Sequence, residues 1–150
     1  MTLLTVSHRQ QKQQADCLAA CAAMVLDYFH IPISYNKLTQ LLKIDAIGTP
    51  FRNLGSLQSL GLSILIEEGS LQSLKAYLEL GLPLIVAVDT DQLSYWYEAT
   101  DHAVVVVGIE NEVIYLNDPN LSTAPQIVSL AEFELAWLEK DYLSAVIQLT

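Results

Sequence analysis

From Asp16 to Phe29 the chain reads DCLAACAAMVLDYF, a stretch of helical length that is apolar almost all the way round. Such a helix has no side to give to water, so it belongs in the middle of a domain with other elements packed around it. Asp16 stands where an N-cap is expected, which puts Cys17 at the first helical position. A chain of 150 residues is long enough to supply those surroundings within one domain, and no linker or repeat divides 1–150.

The front half carries further helical patterns. One runs from Ser34 to Lys43. A second runs from Pro50 to Leu60, opened by Thr49 and a first-position proline and ended by Gly61. Ser70 caps a third that Gly81 ends. The back half is richer in strands: Leu62 to Glu67, Pro83 to Val88, Ala103 to Ile109, Val113 to Asn117 and Tyr142 to Leu149. Ser129 and Glu132 form a capping-box pattern for a helix ending at Leu138. Helices first and strands later predict an α+β domain with an antiparallel sheet. Asp89 to Asp101, with the aromatic trio Tyr95, Trp96 and Tyr97, reads as a long loop between two strands. That trio fits either the lining of a peptide cleft or simple packing.

Charge narrows the partners. A formal net charge of −10 repels phosphate backbones and anionic lipid surfaces, so neither nucleic acid nor a membrane is expected. The apolar runs fall short of the roughly 20 residues that span a bilayer. The N-terminus lacks a signal-peptide pattern, so a cytoplasmic location is expected. Two cysteines, Cys17 and Cys21, lie one helical turn apart and suggest no disulfide framework.

At a helix N-terminus, unpaired N–H groups and the helix dipole stabilise a thiolate, which makes Cys17 a candidate nucleophile and leaves Cys21 as core. His102 stands just before one predicted strand and Asp118 just after the next. A turn of about three residues at Glu110-Asn111-Glu112 joins the two strands, and a register centred on Glu110 sets Val106 opposite Ile114, Val104 opposite Leu116 and His102 opposite Asp118. A carboxylate facing a histidine can orient the imidazole. Taken alone, such a pair is as readily a surface ion pair of little energetic value. Four glutamines, Gln10, Gln11, Gln13 and Gln14, lie upstream of Cys17, and an amide N–H from one of them could serve an oxyanion. Their spacing does not choose between them.

Gln11, the segment Asp16-Cys17-Leu18-Ala19-Ala20-Cys21, the segment Asp101-His102-Ala103-Val104-Val105 and the run Asn117-Asp118-Pro119 together resemble the bacteriocin-processing peptidase family. This is family thirty-nine of the cysteine peptidases, in the papain-like clan. The resemblance implies a papain-like fold, with the nucleophile helix packed on an antiparallel sheet, and a peptide or protein substrate. It also implies Cys17 as nucleophile, His102 as general base, Asp118 as the residue orienting it and Gln11 in the oxyanion hole. No cofactor and no metal are implied. One departure is Leu18-Ala19 after the nucleophile, where that family usually has Gly and often Pro. Leu18 is turned about 100° from Cys17 on a helix, so its side chain can point into the core.

Three other readings compete with a thiol hydrolase. Acyl transfer to an amine uses the same groups. A peptide-binding module could retain the fold without catalysis. A metal site of Cys17, Cys21, His102 and Asp118 is disfavoured, because two cysteines one turn apart without a second histidine suit a helix face better than a closed site.

Overall fold

The computed structural model describes residues 2–150. The first long element is helix α1 (Cys17–Tyr28), and nine of its residues, from Leu18 to Leu26, are buried. Helix α2 (Tyr35–Leu41) follows, capped by Ser34, whose hydroxyl accepts from the Lys37 N–H. Phe51–Leu60 winds as a 3₁₀ helix rather than an α-helix, with Pro50 in the cap position and Gly61 ending it at φ 82°. A left-handed residue is needed there for the chain to reverse into a strand, and glycine adopts that conformation without steric penalty. Helix α3 (Leu71–Glu79) opens with a reciprocal cap between Ser70 and Ser73, and α4 (Leu130–Leu138) opens at Ser129.

Seven strands form one antiparallel sheet: β1 (Thr2–Leu3), β2 (Leu62–Glu68), β3 (Leu84–Asp89), β4 (Asp101–Glu110), β5 (Val113–Asn117), β6 (Gln126–Ser129) and β7 (Leu143–Leu149). Their order is β2-β7-β3-β4-β5-β6, with β1 added beside β4. The α+β architecture with an antiparallel sheet is therefore as the sequence pattern predicts. The short strands β1 and β6 are additional to it, because two to four residues carry too little alternation to be recognised.

The sheet lies between two helical layers. On one side α1, α2 and the 3₁₀ helix bury Ile85, Ala103, Val105, Val107 and Ile147; on the other α3 and α4 bury Val86, Val104, Val106, Ile114 and Leu116. Covering on both faces explains why β3 reads as a continuous apolar run instead of alternating. Among the described residues no helix is long and apolar enough to cross a membrane.

The β4–β5 hairpin departs from the expected register. Glu110 pairs with Val113, so the turn holds two residues, Asn111 and Glu112, with Asn111 at φ 55°. A two-residue loop demands positive φ, which Asn tolerates better than most residues. Further along, Val106 pairs with Leu116 and Val105 with Asn117, because Val107 bulges out of the ladder. His102 lies inside β4 and faces Val88 of β3, not Asp118. The bulge has a specific consequence. A shift of one residue would send His102 and Asp118 to opposite faces, and the extra residue restores the parity. Continued one step, the observed register sets Asp118 opposite Val104, diagonal to His102 and on its face.

Candidate active site

Helix α1 places Cys17 at its head, partly exposed, while Cys21 one turn deeper is fully buried. Burial pushes the Cys21 thiol well above its ordinary range, with the charges of Cys17 and Asp118 adding to it. Asp16 occupies the cap position without capping. Its carboxylate turns away to accept from the N–H groups of Lys12 and Gln13, at 3.3 and 3.2 Å, and from the Tyr35 hydroxyl at 2.9 Å. The carboxylate thus braces the loop before α1 and leaves the first-turn N–H groups beside Cys17 without a side-chain acceptor, which suits an anion at that point. Leu18 is 3% exposed and packs in the core.

His102 and Asp118 meet at 2.7 Å through Nε2 and Oδ1, both buried. Asp118 Oδ1 also accepts from the Asn120 N–H at 2.9 Å, while Oδ2 accepts from the Tyr95 hydroxyl at 2.6 Å and the Trp96 indole N–H at 2.9 Å. Burial by itself raises the Asp118 carboxyl. The hydrogen bond and charge of His102, with the Tyr95 and Asn120 donors, outweigh it and hold the group below its usual range. For His102, burial favours the neutral ring, but the hydrogen bond to Asp118, the influence of the nearby Cys17 and the charge of Asp118 push it up to about 9. With Nε2 engaged by Asp118, Nδ1 is the nitrogen available to the thiol. The Trp96 ring packs edge-on against the imidazole, 4.7 Å between centroids.

The three side chains come from different layers. Cys17 packs with the α1 cluster, whereas Val104 and Leu116, one alternation along from His102 and Asp118, belong to the α3–α4 cluster. Cys17 acts on His102 at the Asp101–His102 end of β4.

A cleft of about 630 Å³ opens beside the imidazole, walled by Gln10 to Gln14 on one side and Tyr95 to His102 on the other. Cys17 is not part of its wall and adjoins it through His102. Gln11 lines the cleft, but both N–H groups of its amide donate within their own loop, to the Gln13 and Gln14 carbonyls at 2.9 Å each. Its Oε1 is buried without a partner. Of the aromatic trio, Tyr95 and Trp96 anchor Asp118, and only Tyr97 stands fully exposed. Their polar groups were the signal for this: a phenol and an indole drawn partly out of water need acceptors, and a carboxylate has lone pairs to offer. Glu132 completes no capping box. Its N–H binds Ser129, but its carboxylate reaches across to the backbone N–H and hydroxyl of Ser94, 3.2 Å from each. Among the described residues no three His, Cys, Asp or Glu side chains converge as a metal-binding group.

Accessibility separates the two thiols chemically. Iodoacetamide at mildly acidic pH is expected to alkylate Cys17 well before Cys21, read by peptide mass mapping. Equal or reversed labelling would contradict the placement of Cys17 beside an imidazole at the surface end of α1.

The model of the peptidase C39 family matches residues 5–143. A candidate C39-like peptidase from Bacillus anthracis superposes with a TM-score of 0.82 at 16% identity, covering 100% of this chain and 98% of that one. The peptidase domain of Streptococcus ComA, a bifunctional ABC transporter involved in quorum sensing, gives 0.77 at 23% identity, covering 99% and 98%. A double-glycine-motif protease from an AMS/PCAT transporter, solved with its leader peptide, gives 0.76 at 19% identity over 100% and 99%. These solved structures share the papain-like fold described above. No curated protein matches the chain.

Proposed function

The chain belongs to the peptidase C39 family, and from that premise we propose that it is a cysteine peptidase whose one domain spans 1–150, with Cys17 as nucleophile, His102 as base and Asp118 orienting the imidazole. The observation that carries this reading is the buried His102–Asp118 pair, 2.7 Å apart, bearing on a cysteine at the head of a buried helix. The Asp118 carboxylate raises the basicity of the imidazole and stabilises the imidazolium formed when it takes the thiol proton.

In the proposed reaction the Cys17 sulfur bonds to the substrate carbonyl carbon, and the carbonyl electron pair moves to oxygen. As that oxyanion collapses, the C–N bond breaks and the amine leaves with the proton His102 holds. Water then attacks the thioester while His102 takes its proton, and Cys17 departs as thiolate. An amine in place of water would make the second step a transfer. The first-turn N–H groups of α1 are suited to hold the oxyanion. Gln11 is the proposed side-chain donor, and to act it must release one of its two bonds to the loop when substrate enters. A peptide substrate is proposed by likeness to the double-glycine protease, which was solved with a leader peptide.

An electrophilic peptide probe tests the reading. The wild-type protein should form a covalent adduct at Cys17, Cys17→Ala none, and Gln11→Ala should react about 10²–10³ more slowly, the usual loss for one oxyanion donor. The occupied Gln11 amide favours a second reading, a peptide-binding module without turnover. Reversible peptide binding with no adduct across a broad probe panel would select that module and overturn the peptidase.

A further inference from the structure

We propose that Tyr95 and Trp96, on the loop between β3 and β4, are positioning residues that lock the Asp118 carboxylate in the orientation in which it meets His102 and keep water from the pair. Their consequence for catalysis rests on the peptidase reading; their contacts do not.

A carboxylate turns about a broad, soft terminal torsion, so one hydrogen bond to an imidazole leaves its orientation loosely defined. Here Oδ1 takes His102 and Asn120 while Oδ2 takes Tyr95 and Trp96, so each oxygen has two donors and turning the carboxylate out of this plane breaks all four bonds. Two of these donors come from ring systems with little freedom. Trp96 does double duty, since its indole N–H binds Asp118 while its ring lies edge-on to the imidazole.

The loop that carries them is itself tied down. At its neck the Thr90 hydroxyl donates to the Glu98 carbonyl at 2.7 Å and accepts from the Thr100 N–H at 2.8 Å. In its middle Leu93 is 1% exposed in the α3–α4 core, and Ser94 is held by Glu132 of α4. The aromatic pair is thus braced against the sheet and a helix.

The titratable groups bearing on Asp118 are His102 of β4, Tyr95 of the loop and Cys21 of α1; Cys17 of α1 bears on His102, and Glu132 of α4 on Tyr95. Burial raises the Tyr95 phenol, and the Asp118 charge raises it further, so it remains a donor at any working pH. Removing a donor from a buried carboxylate destabilises its anionic form, so the Asp118 titration must move up.

The test uses the full chain with Tyr95→Phe and Trp96→Phe, which keep an aromatic ring and remove the donor. The Asp118 carboxyl is followed by ¹³C NMR, and Cys17 acylation by the electrophilic probe. Each variant is expected to raise the Asp118 midpoint by about one pH unit and slow acylation about tenfold. In an Asp118→Asn background the Tyr95→Phe slowing should vanish. An unmoved Asp118 titration in both variants, or a Tyr95→Phe slowing that persists unchanged beside Asp118→Asn, overturns the positioning role. A shifted titration in a protein whose wild type ignores the probe would leave the positioning intact and overturn the peptidase reading alone.

Discussion

His102→Ala is expected to lower the second-order rate of Cys17 acylation by an electrophilic peptide at least 10³-fold at neutral pH, the scale on which losing a nucleophile's base acts. The substitution removes the group that takes the thiol proton and, on the proposed pathway, the acid that returns it to the leaving amine. It also leaves the buried Asp118 carboxylate without its imidazole partner. Circular dichroism and urea unfolding should therefore accompany the kinetics, so that a rate loss in a folded protein is separated from a loss of fold. Added imidazole should recover part of the rate by filling the vacated space. A folded His102→Ala protein reacting within tenfold of wild type would exclude His102 as the base.

The second large effect concerns stability. Asp118→Ala leaves the half-buried Tyr95 hydroxyl and Trp96 indole and the Asn120 N–H without their acceptor, and the buried His102 without its counter-charge. Breaking a buried pair by removing one partner typically costs about 3–5 kcal/mol, and urea unfolding at pH 6 should register a loss of that size.

The pH dependence has a definite sign. His102 rises from its ordinary 6.5 to about 9 in the fold, so its contribution is complete below 6.5 and disappears as pH climbs through 9. That swing is on the order of 3 kcal/mol. Asp118 is depressed below its ordinary 3.8, so its contribution is present above that value and is lost as pH falls through the folded one. The contribution of the pair should be largest between about pH 4 and 6.5, with an alkaline decline that Asp118→Ala flattens. A wild-type alkaline decline reproduced unchanged in Asp118→Ala would show that the pair is not its source.

Several particulars separate what could be read in the sequence from what could not. Cys17 at a helix head and Cys21 within the core follow from local pattern, as do the caps at Ser70 and Ser129 and the stop at Gly61. The approach of His102 to Asp118 was legible although the register behind the expectation was not. The register at the turn, Glu110 opposite Val113, carried along the strands would have put them on opposite faces, and the Val107 bulge brought them back. A two-residue slip keeps the face in a period-two strand, so the expectation met the right neighbour through the wrong pairing.

The apolar circumference of α1, the branched runs of β3 and β4 and the capping residues are local quantities, and the sequence by itself determines the α+β class and the position of a cysteine where an anion is favoured. Only the tertiary structure decides which groups use which hydrogen bonds. It turns Asp16 from the helix end to the preceding loop, commits the Gln11 amide to two carbonyls, sends Glu132 to Ser94 and brings Tyr95 and Trp96 onto Asp118. The physical reason is that a buried polar group is stable only when paired, and its partner is set by long-range packing rather than by distance along the chain.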